Sequence, residues 1–369
     1  MTARMKKCVL MVSFHLALGG MLGLMAGDES AVAGPQQTAY EDGRPQAKLR
    51  LAAKDSGIVL GHGDGPNQCD VYCARDVWVF EAEGNYYMHY DAAGPAGWLC
   101  ALATSTDLIH WKLKGPILQF GDPEAMDSKS ASYGVTYLEG KQWHMFYLGT
   151  PNTSPPPDRV PSLPYVTMKA RSSSPGGPWA KQYNVIPFRP KPGTYYNATA
   201  SPGFVVKYHG EYLQFFSASA FAMIGKKLTL QRTIAIARTK DLDGPWTVDP
   251  QPIVPLDEQI ENTSLYYEKT NQTWFLFTNH VGIKKGYEYT DAVWVYWSKD
   301  LNVWNPENRA VVLDPQNCSW SKHIIGLPSV IQVGNKLALF YDGQKGEEMS
   351  HMRRDIGLAF LALPLQPPQ

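Results

Sequence analysis

One element recurs five times along this chain: a hairpin turn followed by an aromatic-rich strand. The strands are Tyr86-Tyr87-Met88-His89-Tyr90, Trp143-His144-Met145-Phe146-Tyr147, Tyr212-Leu213-Gln214-Phe215-Phe216, Trp274-Phe275-Leu276-Phe277-Thr278 and Leu337-Ala338-Leu339-Phe340-Tyr341. The turns before them contain Glu83-Gly84-Asn85, Glu139-Gly140-Lys141, His209-Gly210-Glu211, Thr270-Asn271-Gln272 and Val333-Gly334-Asn335. Gly and Asn tolerate the positive φ that tight hairpins require. A second element follows each strand: Thr104-Ser105 leads to Asp107-Leu108 and Trp111, and Tyr296-Trp297-Ser298 leads to Asp300-Leu301 and Trp304. Short apolar outer strands come next, such as Pro116-Ile117-Leu118 and Ala310-Val311-Val312-Leu313.

The repeat interval is about 60 residues, enough for four strands per copy. A lone four-stranded sheet cannot bury both faces, so the copies must stack around an axis. The fold class expected is therefore all-β, a five-bladed β-propeller. Five hairpins in a sandwich are the rival, disfavoured by the even spacing. The fifth copy lacks its outer strand. The segment around Leu49-Arg50-Leu51 and Ile58-Val59-Leu60 is expected to supply it, closing the ring and covering an edge. The Pro-rich stretch from Pro151 to Pro164 is read as an insertion in the second copy, with overhang of one face as the alternative.

Composition agrees with many short strands: 32 glycines, 28 prolines and 44% hydrophobic residues. The 34 basic and 34 acidic side chains cancel, and no basic cluster marks a nucleic-acid partner or an anionic membrane surface. The N-terminus reads as an export signal over residues 1–33, with the repeat domain over 34–369. Arg4, Lys6 and Lys7 precede a mostly apolar stretch from Cys8 to Met25, and Ala31-Val32-Ala33 offers a cleavage site. A membrane anchor is the alternative, weakened by Gly19, Gly20 and Gly23. The mature chain is expected to be secreted or periplasmic, off the membrane, and monomeric. Cys69, Cys73, Cys100 and Cys318 then remain, and an exported chain would join them in two disulfides by one of three pairings. No metal-ligand spacing is visible, and no cofactor is expected.

The repeats resemble the five-bladed propeller glycosidases: family 43 arabinanases and xylosidases, and more distantly families 32, 117 and 130. The resemblance spans nearly the whole mature chain and implies a carbohydrate substrate. In such propellers the innermost strand of each blade starts at a central funnel. A carboxylate of the first blade is base or nucleophile, and one of a later blade is the acid. Asp76 stands ten residues before Tyr86, at the family's spacing, although Val77 replaces the usual Pro. Asp70 competes for this role. Glu261-Asn262-Thr263 opens the fourth blade and looks like the family's general acid, with Asn-Thr in place of Gly-Pro. The family's third carboxylate, an Asp opening the third blade, is replaced by Ser201. Asp127 is the first candidate to substitute for it, ahead of Asp291.

Cleavage of a glycosidic bond needs one protonated and one ionised carboxyl on opposite sides of the anomeric carbon. Inversion, the family 43 and 117 outcome, implies a separation of roughly 6.5–9.5 Å. Aromatic faces stack on sugar C–H groups, and Trp78, Tyr133 and Trp320 lie near inner strands. His323, before the fifth inner strand, is a further substrate-binding candidate, and His280 a polar one. The expected function is an exported glycoside hydrolase acting on a plant or algal saccharide. Two rivals are a non-catalytic carbohydrate-binding propeller and a glycoside phosphorylase. The last needs an Arg/His cluster beside the acid, and Arg171 and Arg238 have no assigned place.

Overall fold

The computed structural model describes residues 39–369 apart from 225, 226 and 286. The expected signal at 1–33 lies outside the described residues. Two strands precede the repeats: β1 (Leu49–Arg50) and β2 (Lys54–Leu60). The first unit is β3 (Cys73–Ala82), β4 (Asn85–Gly94), β5 (Gly97–Ser105) and β6 (Lys112–Pro116), each antiparallel to the next. In the second, β7 (Ser130–Glu139) and β8 (Gln142–Thr150) are followed by a small ribbon of β9 (Asn152–Thr153) and β10 (Pro161–Ser162). Strands β11 (Tyr165–Ser172) and β12 (Ala180–Lys181) complete it. The third is β13 (Thr199–Tyr208), β14 (Glu211–Ile224), β15 (Lys227–Thr239) and β16 (Thr247–Val248). The fourth is β17 (Ile260–Glu268), β18 (Thr273–Lys284), β19 (Tyr287–Ser298) and β20 (Arg309–Leu313). The fifth has β21 (Ser321–Val333), β22 (Lys336–Lys345) and β23 (Arg354–Ala362).

The missing outer strand of the fifth unit comes from the start of the chain, where β2 pairs antiparallel with β23. The other half of that segment behaves differently: β1 runs parallel to β20 on the fourth unit. Short parallel pairings link the first three units, Trp98–Leu99 with Ser130–Ala131 and Tyr165–Val166 with Thr199–Ala200. The described strands form four sheets, and none of them closes on itself. No helix among the described residues is long and apolar enough to cross a membrane.

Local chemistry explains the elements. The β3–β4 turn places Glu83 and Gly84 at φ of 53° and 73°, and the β13–β14 turn places His209 and Gly210 at 49° and 84°. Two consecutive positive φ angles make the turn whose twist matches paired strands. The repeated Ser…Asp-Leu…Trp pattern is a loop-folding device. The Ser105 hydroxyl accepts the N–H groups of Asp107 and Leu108, and the Trp111 indole donates to the Leu108 carbonyl at 2.9 Å. The fourth unit repeats this with Ser298, Asp300 and Trp304, whose indole donates to Leu301 at 2.8 Å.

Strands of the second position are buried on both faces, so each unit needs a neighbour on either side. Leu339 and Phe340 are both fully buried. Alternation sends Leu339 toward Phe275, Phe277 and Val295 of the fourth unit, and Phe340 toward Met88 and Tyr90 of the first. Similar clusters join the first and second, second and third, and third and fourth units. Each such Leu or Phe contributes about 1.5–3 kcal/mol by leaving water.

The expected disulfides are not formed: all four cysteines are free. Cys73, Cys100 and Cys318 are spread through separate parts of the buried core, where they pack as small apolar side chains.

Candidate active site

Each inner strand carries a β-bulge at the same point. It falls between Arg75 and Trp78, Ser132 and Val135, Ser201 and Phe204, Glu261 and Ser264, and Gly326 and Ser329. Four bulges contain a non-glycine residue in the left-handed region: Asp76 (φ 55°), Tyr133 (43°), Asn262 (60°) and Leu327 (44°). Such backbone costs about 1–3 kcal/mol per residue and re-aims side chains. The residues just before the bulges face Asp91, Leu148, Ser217, Asn279 and Asp342 on the second strands.

The bulges of the first four units line one cavity with two lobes. The wide lobe encloses about 610 Å³ and the inner lobe about 320 Å³. Arg75, Arg232, Glu261 and His351 line both. Asp76 and Glu261, from the first and fourth units, line the inner lobe together. Tyr165 connects them: its phenol is within electrostatic reach of both carboxylates and is pushed up to about 12, chiefly by burial.

Asp76 is held on three sides. Its N–H donates to Asp342 Oδ2 at 3.0 Å, and Arg75 Nε donates to its Oδ1 at 2.6 Å. Asp91 faces it, and the two carboxyl groups hydrogen-bond to each other. Burial and the Asp76 charge hold the Asp91 carboxyl well above the ordinary carboxylate range. Asp76 is raised as well, first by desolvation and against the pull of Arg75. The proton therefore rests on Asp91, which donates to an Asp76 carboxylate kept ionised by Arg75. Tyr133 also donates its backbone N–H to Asp91. Glu261, whose side chain is 31% exposed, lies 3.3 Å from Arg232, which also binds Glu288 at 2.7 Å.

Tyr133 lines the inner lobe and His323 the wide lobe, where His323 Nε2 pairs with Glu347 at 2.7 Å. Three expected residues lie elsewhere. Trp78 is buried against Phe204 and donates its indole N–H to Thr136 at 3.1 Å. Its strand position turns it into the packing between units, because the bulge advances the alternation by one residue. Trp320 stacks on Tyr341 and donates to its hydroxyl at 2.7 Å. Asp127 is fully buried and bound by Lys181 at 2.5 Å and the Tyr147 hydroxyl at 2.8 Å. Asp70, also fully buried, accepts from the Tyr90 hydroxyl at 3.1 Å, twenty residues on as in the Asp127–Tyr147 pair. Both aspartates are thus the same structural strut in successive units. Asp291 is likewise engaged outside the cavity, by His280 at 2.7 Å, and His280 is buried against Trp294. Arg171 pairs with Asp243 and Arg238 with Asp249, both away from the cavity.

The residues missed in the sequence are Asp91, Arg232 and Tyr165, and the alternative reading of the Pro-rich stretch is the one the cavity lining supports. The Pro-rich insertion overhangs the cavity: Val160, Pro161, Ser162 and Leu163 line the inner lobe. Trp98 pins it by donating to the Asp158 carbonyl at 2.8 Å, and Tyr165 donates to Pro161 at 2.8 Å. Asp91 had a usable signal, since it follows Tyr90 as Asp342 follows Tyr341.

Asp127→Asn is expected to lower unfolding stability by about 3 kcal/mol, because it strands a buried ammonium, and to leave kcat of the folded protein unchanged. Urea melts and initial rates check both. Asp91, with its raised carboxyl, makes the fold less stable as pH rises above the ordinary carboxylate value near 4. There the folded protein keeps a proton the unfolded chain has released, at up to about 1.4 kcal/mol per pH unit. Urea midpoints measured from pH about 4 upward fall in the wild type and flatten in Asp91→Asn.

No protein-family model matches the chain, and no curated protein does. Solved structures do. A family 117 glycoside hydrolase of the marine bacterium Zobellia galactanivorans aligns over 86% of this chain and 93% of its own, at 16% identity and a TM-score of 0.61. The catalytic domain of a Coprinopsis cinerea GH62 α-L-arabinofuranosidase aligns over 85% and 98%, at 12% identity and 0.61. Their fold is the fold of this chain. A thermostable family-43 glycoside hydrolase matches over 84% and 99%, at 13% identity and 0.56. The likeness to glycoside hydrolase structures thus meets the resemblance carried by the repeats, and its reach at these identities is the fold.

Proposed function

We propose that this protein is an exported, monomeric, inverting glycoside hydrolase acting on a plant or algal saccharide, built as a closed five-bladed propeller. The five four-stranded units and the packing of the fifth against the first support the propeller. The observation that carries the function is the shared lobe of Asp76 and Glu261, which brings together carboxylates 185 positions apart in the chain. Asp76, ionised beside Arg75, accepts a proton from water as that water attacks the anomeric carbon. Glu261 donates its proton to the departing glycosidic oxygen. Asp91 and Asp342 fix Asp76 from behind. Tyr133 and Tyr165 offer the aromatic and hydroxyl contacts that a sugar ring needs. The loop at 160–163 narrows the inner lobe around the bond.

The test is a panel of aryl arabinosides, xylosides, galactosides and agar oligosaccharides, with the product anomer monitored by proton NMR at early times. Release of the inverted anomer supports the proposal. The retained anomer overturns the inverting assignment, and binding without turnover supports a carbohydrate-binding propeller instead. Phosphorolysis is a second reading, favoured by the guanidinium groups beside Glu261. It requires turnover that depends on inorganic phosphate and yields a sugar 1-phosphate.

A further inference from the structure

The wide lobe is lined by more cationic side chains than a neutral sugar needs. Arg75, Arg232, Arg354, Lys284 and Lys285 face three glutamates, Glu261, Glu288 and Glu347. The guanidiniums are scarcely exposed: the side chains of Arg75 and Arg232 stand at 13% and that of Arg354 at 3%. Burying charge is costly unless it is paired, and the pairing here is partial. Arg75 binds Asp76 at 2.6 Å, Arg354 binds Asp342 at 3.1 Å, and Arg232 is divided between Glu288 and Glu261. Lys284, half-buried, approaches both ring nitrogens of His323 at 3.4 and 3.5 Å and has no carboxylate partner among the described residues. His351 lies among the three arginines, 3.4 Å from Arg75, where partial desolvation and the guanidiniums push its proton affinity down.

We infer that the wide lobe is a subsite for an oxyanion substituent of the sugar, a carboxylate or a sulfate ester, bound by Arg232, Lys284 and the arginines around His351. This rests on the glycosidase reading of the same cavity. Planar guanidiniums bind such groups through paired N–H donors. The lobe shares Glu261, Arg75 and Arg232 with the inner lobe that holds Asp76, so a ring seated between the carboxylates projects its substituent into the cluster. That binding has a consequence for the reaction. An oxyanion that takes up Arg232 releases Glu261 from it, so the charged substrate itself frees the acid.

The experiment measures binding, not turnover, on the full chain carrying Asp76→Asn. Calorimetry compares D-galacturonate, D-glucuronate and galactose 6-sulfate with galactose, glucose, inorganic sulfate and inorganic phosphate. The charged sugars are expected to bind at least ~10-fold tighter than their neutral parents. Lys284→Met removes that difference and leaves neutral-sugar binding unchanged, and Arg232→Gln also removes the difference. Preference for uronates or for the sulfate ester tells the two oxyanions apart. Equal binding of charged and neutral sugars overturns the inference, and so does selective binding of free phosphate with no preference among sugars. Selective binding together with a wild type that hydrolyses nothing leaves the subsite standing and removes the hydrolase proposal.

Discussion

Asp76→Asn lowers kcat/KM by about three orders of magnitude, within the range for removal of a positioned base, and leaves the urea midpoint close to that of the wild type. The amide keeps the shape of the carboxylate but cannot take a proton from water. The fold tolerates it for a specific reason. The Asp76 backbone N–H still donates to Asp342, and Arg75 retains Asp342, 3.8 Å from its Nε. Asp91 no longer faces the Asp76 charge, which offsets part of the lost ion pair. Azide distinguishes a lost base from a distorted site, because this anion attacks without being deprotonated. Azide restores turnover in Asp76→Asn and yields a glycosyl azide of inverted configuration. An unrescued variant with a collapsed midpoint indicates a structural role for Asp76.

Glu261→Gln gives an equally large loss that depends on the leaving group. For an oligosaccharide the departing oxygen is strongly basic and needs a proton, so kcat/KM falls by about 10³. For a dinitrophenyl glycoside the phenolate leaves unassisted, and the loss shrinks to about tenfold or less. The rates of wild type and variant across a series of aryl glycosides read this directly, as a steeper dependence on leaving-group basicity in the variant. A uniform loss across the series would assign Glu261 to binding. Arg232 loses one of its two glutamates in this variant and keeps Glu288, which limits the structural cost.

The architecture was legible because it repeats. Turn residues and aromatic strands recur in each copy and the Ser/Thr…Asp-Leu…Trp loop in three of them, and each is a local device whose chemistry the residues display. The strand exchange at Ile58-Val59-Leu60 was legible from what the last copy lacked. The side chains that face the axis were harder, and the bulges explain why. A single extra residue reverses inside and outside for the rest of the strand. Trp78, two residues beyond Asp76, therefore packs between units. Asp127 misled because its place before the second inner strand suits both a strut and a catalytic group. Only its contacts with Lys181 and Tyr147 tell these apart. The carboxylate that does accompany Asp76 lies on the adjacent strand of its own unit, where register alone brings Asp91 opposite Arg75. Arg232 sits far out on the long β14–β15 hairpin, whose reach over the cavity no spacing rule foretells.

The disulfide expectation failed on a related point. Four cysteines in an exported chain suit a framework of bridges only if they meet in space. A core with large apolar clusters between every pair of units has no need of them.

Turnover of one substrate by Asp76→Asn, Glu261→Gln and the double variant most directly asks whether two distant acids serve a single bond. Joint action in one step predicts that the double variant is no more than about tenfold slower than the slower single variant, because either loss already disables the step. Losses that multiply, or a double variant that still turns over at the wild-type rate, would contradict it.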